Sequence, residues 1–489
     1  MVRARPGPPR LGPPRELTCQ RGHLMTFQHR RGSARERALA AAALAAATGL
    51  ILTACSSGGS GGSGSADANG KVTISIDCQP PTSKPALREM WNQDIAAFEK
   101  AHPDVTVKSI DTFPCETPAL FTAALKGGTE ANVFYTYFTD KQQVLDAGQA
   151  ADITKYVNTT TVPALNDIKP EVLATQKENG KLYGLPTNNY TMGMIINRRL
   201  FKQAGLNPDQ PPTTWADVAK DAQAISKLGH GAIGYGDYSA GNNGGWHFAA
   251  ELDAMGGRMT TPDGSRSAFD SAQGRAVLQN LHDLRFTDGV MGTTQLYKWG
   301  DLQKLMAAGK LGMYLAAPDD ITYMVQTLGA HYSDFSMGPM PGQNGPGAGT
   351  LAGGNDYMFN VKDTPAQIKA GVELVDYIGL TVGHGQLFDY ARLKAKDQAV
   401  GLPEPALFQG ATKAQDDKLK AANATMPVSY FSSYADAAVP GIPEPPNAQA
   451  IYKILDSTMA AVLTNSGADI GGQLHTAAQQ VDQVLANSQ

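Results

Sequence analysis

The chain is expected to fold as an α/β protein of more than one lobe, each lobe built on a mostly parallel sheet flanked by helices. Three observations predict this. Its 489 residues exceed what one small core organises and allow two or three domains. From Lys71 onward, strand-like and helix-like patterns alternate, which implies β-α-β units with right-handed crossovers. The stretch 180–215 interrupts that alternation and reads as the place where the chain first leaves one lobe for another.

The front end departs from an otherwise ordinary composition, 42% hydrophobic and 18% charged. Residues 1–24 are rich in Pro and Arg and are set aside as untranslated or disordered, since Met25 would start a leader of ordinary length. Arg30, Arg31, Arg35 and Arg37 precede an Ala/Leu-rich run from Ala38 to Leu50, followed by Leu52-Thr53-Ala54-Cys55. A membrane span is the competing reading, but about 17 mostly Ala residues sit at the lower limit for one. Leu-Thr-Ala-Cys resembles a bacterial lipobox, whose Cys55 would be lipidated and become the mature N-terminus at the outer face of the cell membrane. Arg30-Arg31 lacks the flanks usual after twin arginines, which favours the general export route. Residues 55–70 then form a Gly/Ser tether. Gly58-Gly59-Ser60-Gly61-Gly62 within it matches a nucleophile-elbow pattern in letters only, because no strand precedes it and no helix follows.

Nine Arg and two Glu lie in residues 1–54, so the body beyond them holds 32 basic against 43 acidic residues, a net charge of −11 rather than −4. An acidic body without a basic stripe argues against nucleic acid as a partner. Of four cysteines, Cys19 and Cys55 lie in the leader, leaving Cys78 and Cys115. Each follows a predicted strand, 72–76 and 105–110. If those strands are parallel neighbours the pair is placed for a disulfide in an oxidising compartment; the alternative is two separate thiols. No His or further Cys stands near enough in sequence for a metal site, and no cofactor is expected.

In the first lobe, Val72 to Ile76 alternates as a strand; Leu87, Trp91, Ile95 and Phe98 form a helical stripe; Val105, Val107 and Ile110 mark a second strand; and Val133 to Phe138 a third. Ligands of open parallel sheets bind beyond the carboxyl ends of the strands, which draws attention to Asp77, Gln79, Tyr135 and Tyr137. Leu182 to Pro186 reads as a strand cut short at Pro186, with a new strand from Met192 to Ile196. Thr187 to Thr191 would be the crossover, placing Asn188, Asn189 and Tyr190 beside a cleft. Thr214 caps a helix with Asp217 three residues on. Residues 234–247 read as a long irregular loop ending at Trp246 and His247. Gly309 to Leu315 is a strand leading into a turn at Pro318-Asp319-Asp320, with Trp299 upstream, and the chain returns to the first lobe near 336–341. Past Pro365 the tail is mainly helical, with a Pro-rich interruption at 439–446.

Three motifs in order, Gly180-Lys-Leu-Tyr-Gly-Leu-Pro186, Ile196-Asn-Arg-Arg-Leu-Phe-Lys-Gln-Ala-Gly-Leu206 and Pro212-Thr-Thr-Trp215, resemble the sugar-binding proteins of bacterial ABC importers, extracellular solute-binding family 1. The resemblance implies a two-lobed periplasmic-binding-protein-like fold of type II with a hinge between lobes. Lobe 1 would be residues 71–188 plus 341–390, and lobe 2 residues 189–340 plus 391–489. It also implies a sugar ligand, membrane permease partners and a monomer. Leu351 to Phe359 resembles the family's Gly-Gly segment, so Gly353, Gly354, Asn355 and Asp356 join the candidates as residues whose backbone or side chains approach ligand.

No zinc-protease motif, Cys-x-x-Cys, phosphate loop or nucleophile elbow in a folded context occurs, so no catalytic residue is assigned. The expected ligand-binding set combines rings (Tyr137, Tyr190, Trp246, Trp299), amides (Gln79, Asn188, Asn189, Asn355), acids (Asp77, Asp319, Asp356), His247 and Gly354. Rings pack on the apolar faces of sugars, while amides and carboxylates take the hydroxyl hydrogen bonds. Taken singly, a tryptophan or a carboxylate is as readily explained by core packing. The competing function is an exported glycoside hydrolase acting through two carboxylates, whose separation in space would decide the matter.

Overall fold

Val72, Ile74 and Ile76 do form a strand, β1 (Val72–Ile76), flanked in parallel by β2 (Val105–Ser109) and β3 (Val133–Tyr137). The structure is a computed structural model that describes residues 70–112, 115 and 118–487; Cys55, the leader and the tether lie outside them. Among the described residues no helix is long and apolar enough to cross a membrane. After the short hairpin β4 (Lys177–Glu178) and β5 (Lys181–Leu182) come β6 (Gly184–Thr191), β7 (Gly193–Asn197), β8 (Ile233–Tyr235), β9 (Leu311–Ala316), β10 (Phe335–Gly338), β11 (Thr350–Phe359) and β12 (Gly441–Pro443).

Two main sheets result. In the first, β11 runs antiparallel to β3 on one edge and to β6 on the other, and β12 adds in parallel to its first residues. The second has the order β10-β7-β9-β8. Alternate residues of the second sheet fill opposite cores: Met194, Ile196, Met313 and Leu315 one, Ile195, Tyr314 and Ala316 the other. The same division appears in the first sheet, where Phe134 and Met358 face away from Val133 and Phe359. Each large apolar side chain so buried contributes roughly 1.5–3 kcal/mol.

Five expectations need correction. The second sheet is not mostly parallel: β7 runs antiparallel to both β10 and β9, and only β8 and β9 are parallel. Pro186 does not end its strand: β6 continues to Thr191. Its partner β11 pairs Asn355 with Asn188 and Asp356 with Pro186, so Thr187 is passed over in a bulge, where a missing N–H is tolerated. The passage between sheets therefore falls at Met192, between β6 and β7, and not across Thr187 to Thr191. The loop expected over 234–247 is shorter, because β8 takes up Ile233–Tyr235 and a helix begins at Asn243. In the tail, Tyr390, Leu393, Val400, Leu407 and Phe408 pack into the core of the first sheet. The helices Ala448–Thr464 and Ile470–Ala486 join one core of the second, against the helix Asn243–Ala254, and Met426 and Phe431 join its other core.

Cys78 and Cys115 are joined by a disulfide, with Cα atoms 4.6 Å apart. Cys78 has φ +64°, a left-handed conformation uncommon outside glycine, and its N–H donates to Thr112 Oγ1 at 2.8 Å.

Candidate functional site

A cavity of ≈ 560 Å3 opens where β6 and β11 run side by side, walled by Tyr190, Gly353, Phe138, Tyr434 and the segment Pro403-Glu404-Pro405. Tyr190 and Gly353 are cross-strand partners, and the absence of a side chain at Gly353 gives the ring its place: a Cβ there would lie 2.4 Å from the Tyr190 hydroxyl oxygen. On its other side Tyr190 meets Trp246 edge-on, ring centres 6.3 Å apart. Trp246 projects from the helix Asn243–Ala254 of the second lobe, so this aromatic pair bridges the two lobes. Tyr434, from the tail, donates to the Thr191 carbonyl at 3.0 Å and so fixes its ring beside the sheet switch. A second cavity of ≈ 330 Å3 shares Asn189, Glu404 and Pro405 with the first and includes Asn188.

Carboxyl groups converge on the same region. Asp319, at the first position of the helix Asp319–Leu328, is open to water, yet the protein around it raises its carboxyl above the usual range. Burial, reinforced by Asp319 and opposed by Lys420, pushes Glu404 up to about 7. Burial likewise pushes Glu444 up to about 7, although the Tyr452 hydroxyl donates to it at 2.8 Å. Tyr190 has its hydroxyl raised well above the ordinary range, first by burial and then by the charges of Glu444 and Asp319. Those two carboxyls, far apart in sequence, thus both act on Tyr190. Among the cavity-lining residues the base is Lys169, with Glu171 beside it. Among the described residues no group of three His, Cys, Asp or Glu side chains could hold a metal ion.

Residues 81–381, more than half of the chain, match the bacterial extracellular solute-binding proteins. The chain belongs to that family. Within it, the sn-glycerol-3-phosphate-binding periplasmic protein UgpB of Yersinia pestis is 38% identical over 226 residues, 42% of this chain and 46% of that one. The chain thus spans about half the length of the curated relatives it matches. Two solved structures share the fold. The cyclic alpha-maltosyl-1,6-maltose binding protein of Arthrobacter globiformis has a TM-score of 0.65 at 20% identity, covering 86% of this chain and 100% of that one. UgpB of Mycobacterium tuberculosis, in complex with glycerophosphocholine, has a TM-score of 0.67 at 18% identity, covering 86% and 99%. The architecture is therefore the two-lobed, mixed α/β one of periplasmic binding proteins.

In this solute-binding fold the residues singled out from the sequence fall into two groups. Tyr190 lines the cavity, Trp246 packs edge-on against it and Asp319 acts on its hydroxyl, Asn188 and Asn189 line the neighbouring cavity, and Tyr137 is close enough to add to the Tyr190 shift. Asn355 stands opposite both Asn188 and Tyr137, half-buried. Trp299 is 44% exposed; its ring lies tilted against Tyr323, centres 4.6 Å apart, and its indole N–H donates to Asp320, so it stands at the edge of the Asp319 turn.

The others serve the interior. Asp77 accepts the Tyr135 N–H at 2.8 Å and is pushed by burial to about 8. Gln79 is occupied on both sides, donating to Asn92 and accepting from Arg88. His247 is fully buried, its Nδ1 2.7 Å from Asp237, one residue along the helix from Trp246 and so turned inward where Trp246 turns out. Asp356 is fully buried and takes the Thr136 hydroxyl at 2.9 Å. Gly354 is not a point of ligand approach: its missing Cβ leaves room for the Phe138 ring and the Asn188 carbonyl, each 2.4 Å from where that atom would stand. Sequence reasoning passed over Phe138, Glu404, Tyr434 and Glu444. The available signal was the pattern Pro-Glu-Pro, at 403–405 and again at 443–445.

Proposed function

We propose that the protein is a lipid-anchored extracytoplasmic solute-binding protein that captures a sugar or oligosaccharide between its lobes and delivers it to an ABC permease. The observation that carries this reading is the aromatic and carboxyl-lined cavity at the β6–β11 seam, with Tyr190 of one sheet against Trp246 of the other lobe. Rings of this kind pack on pyranose faces while carboxyls accept pairs of hydroxyls, and closure of two lobes on a hinge completes the enclosure. Relatives described as binding sn-glycerol 3-phosphate and glycerophosphocholine make a phosphorylated polyol the second reading. Phosphate recognition wants Arg clusters or helix N-termini, and the cavity wall offers Lys169 next to Glu171. That favours the sugar.

Attachment through Cys55 and a monomeric state belong to the same proposal. Calorimetry against a panel of sugars and sn-glycerol 3-phosphate tests the ligand: stoichiometric binding of a sugar recovered intact is expected, and turnover of that sugar would sink the binding reading in favour of a hydrolase. Radiolabelled lipid incorporation that disappears in Cys55→Ala tests the anchor.

A further inference from the structure

Glu404 and Glu444 share a local sequence, Pro403-Glu404-Pro405 and Pro443-Glu444-Pro445, and both lie beyond residues 81–381, the stretch that matches the family. A residue held between two prolines has few backbone conformations, so its side chain is aimed without help from a helix or strand. The first segment is also anchored at both ends: Ala399 and Leu402 pack on the core of the second lobe, Val400, Leu407 and Phe408 in that of the first. It is a strap across the lobes that presents Glu404 to both cavities. The second segment continues β12, and Glu444 Oε2 lies 3.0 Å from where a Gly353 Cβ would stand, against the Tyr190 seam.

The Glu404 carboxyl has no hydrogen-bond donor among the described residues. What faces it electrostatically is Asp319 and Asp416, countered by Lys420, which is itself 3.7 Å from Asp416. Glu444 faces Tyr452, which donates to it, and Asp140. Lys169 and Glu171 share the cavity wall, and Tyr434 feels the Glu404 charge. A ≈ 560 Å3 cavity with aromatic walls thus has an excess of carboxyls over bases.

We propose, building on the solute-binding function, that the captured solute carries a cationic nitrogen, which Glu404 selects, with Glu444 behind the Tyr190 seam, while the rings of Tyr190 and Tyr434 pack against it. A cation over an aromatic face is attracted by the ring quadrupole, and one placed among carboxyls relieves the repulsion between them. A solute bearing hydroxyls alone leaves that repulsion in place. The nitrogen is either the primary ammonium of an amino sugar or the quaternary ammonium of a choline-bearing solute.

Titration calorimetry separates these. The probes are a glucosamine disaccharide, its N-acetylated counterpart, maltose and choline, on the parent protein, Glu404→Gln and Glu444→Gln, with circular dichroism and melting checked for each. A cationic probe is expected to bind about tenfold or more tighter than the neutral sugars, and Glu404→Gln to remove most of that ratio. Binding of the amino disaccharide alone identifies the first source, of choline alone the second. Because the choline charge does not titrate, its affinity reports the carboxyls: it should rise about three- to tenfold between pH 6 and pH 8, as two groups with values of about 7 ionise. Equal or tighter binding of maltose or the N-acetylated disaccharide overturns this inference and leaves the sugar-binding function standing. Binding of sn-glycerol 3-phosphate with none of the four probes overturns both.

Discussion

At Gly353 a single methyl group decides how the Tyr190 ring sits. Ala at this position would place Cβ 2.4 Å from the Tyr190 hydroxyl and 3.0 Å from Glu444 Oε2, both at the free ends of side chains that can swing aside. Gly353→Ala should therefore keep its melting temperature close to that of the parent and weaken ligand binding about tenfold in calorimetry. Its neighbour behaves in the opposite way. At Gly354 the obstruction includes the Asn188 backbone carbonyl at 2.4 Å, which cannot move without the strand, so Gly354→Ala should cost about 1–3 kcal/mol of stability, seen as an earlier denaturant midpoint. Tyr190→Ala removes the aromatic contact with Trp246 and should lower affinity by about 10- to 100-fold with an unchanged circular dichroism spectrum. Unchanged affinity would take Tyr190 out of the site.

The helix Asn243–Ala254 works on two faces. Outward it offers Trp246 to the Tyr190 ring; inward it sets His247 and Glu251, one turn apart, against Asp237, which also accepts the Tyr235 hydroxyl at 2.7 Å and the Tyr238 N–H at 2.7 Å. Burial, then the Asp237 charge, raises the Glu251 carboxyl well above its ordinary 4.5. The folded chain consequently holds a proton that the unfolded chain releases as the pH climbs past about 4.5, so this group's contribution to stability is whole below that pH and declines above it. Glutamine can donate as the protonated acid does. Glu251→Gln should thus melt like the parent near pH 5 and above it near pH 8; a parent-like dependence on pH would count against a buried neutral Glu251. The helical stripe of Leu87, Trp91, Ile95 and Phe98, in the helix Pro85–Ala101, and the motifs around Tyr190 were legible in the sequence because each is local. That Glu404 lies near Asp319 and Glu444 near Tyr190 was not, because those contacts join distant positions through side-chain packing and leave no spacing to read. His247 was misjudged for a related reason: sequence adjacency to Trp246 suggests a shared face, while helical geometry turns successive residues about 100° apart.

For the whole molecule, the disulfide between Cys78 and Cys115 closes a loop beyond the ends of β1 and β2, neighbouring parallel strands of the first lobe, over a separation of 37 residues. Restricting the unfolded chain to that loop contributes about 4 kcal/mol, so the Cys78→Ser, Cys115→Ser double variant should unfold at lower denaturant, matching the parent after reduction. The second lobe has a different vulnerability. Its core takes Ile451, Tyr452, Leu455, Met459, Val462, Leu474, Val481 and Leu485 from the two terminal helices, packed with residues of β7, β9 and the helix Asn243–Ala254. None of that surface can be sealed until the final residues arrive. The two helices thus act as a clasp: the face of the second lobe that they cover stays open to water until they dock, however well the rest of the lobe has formed.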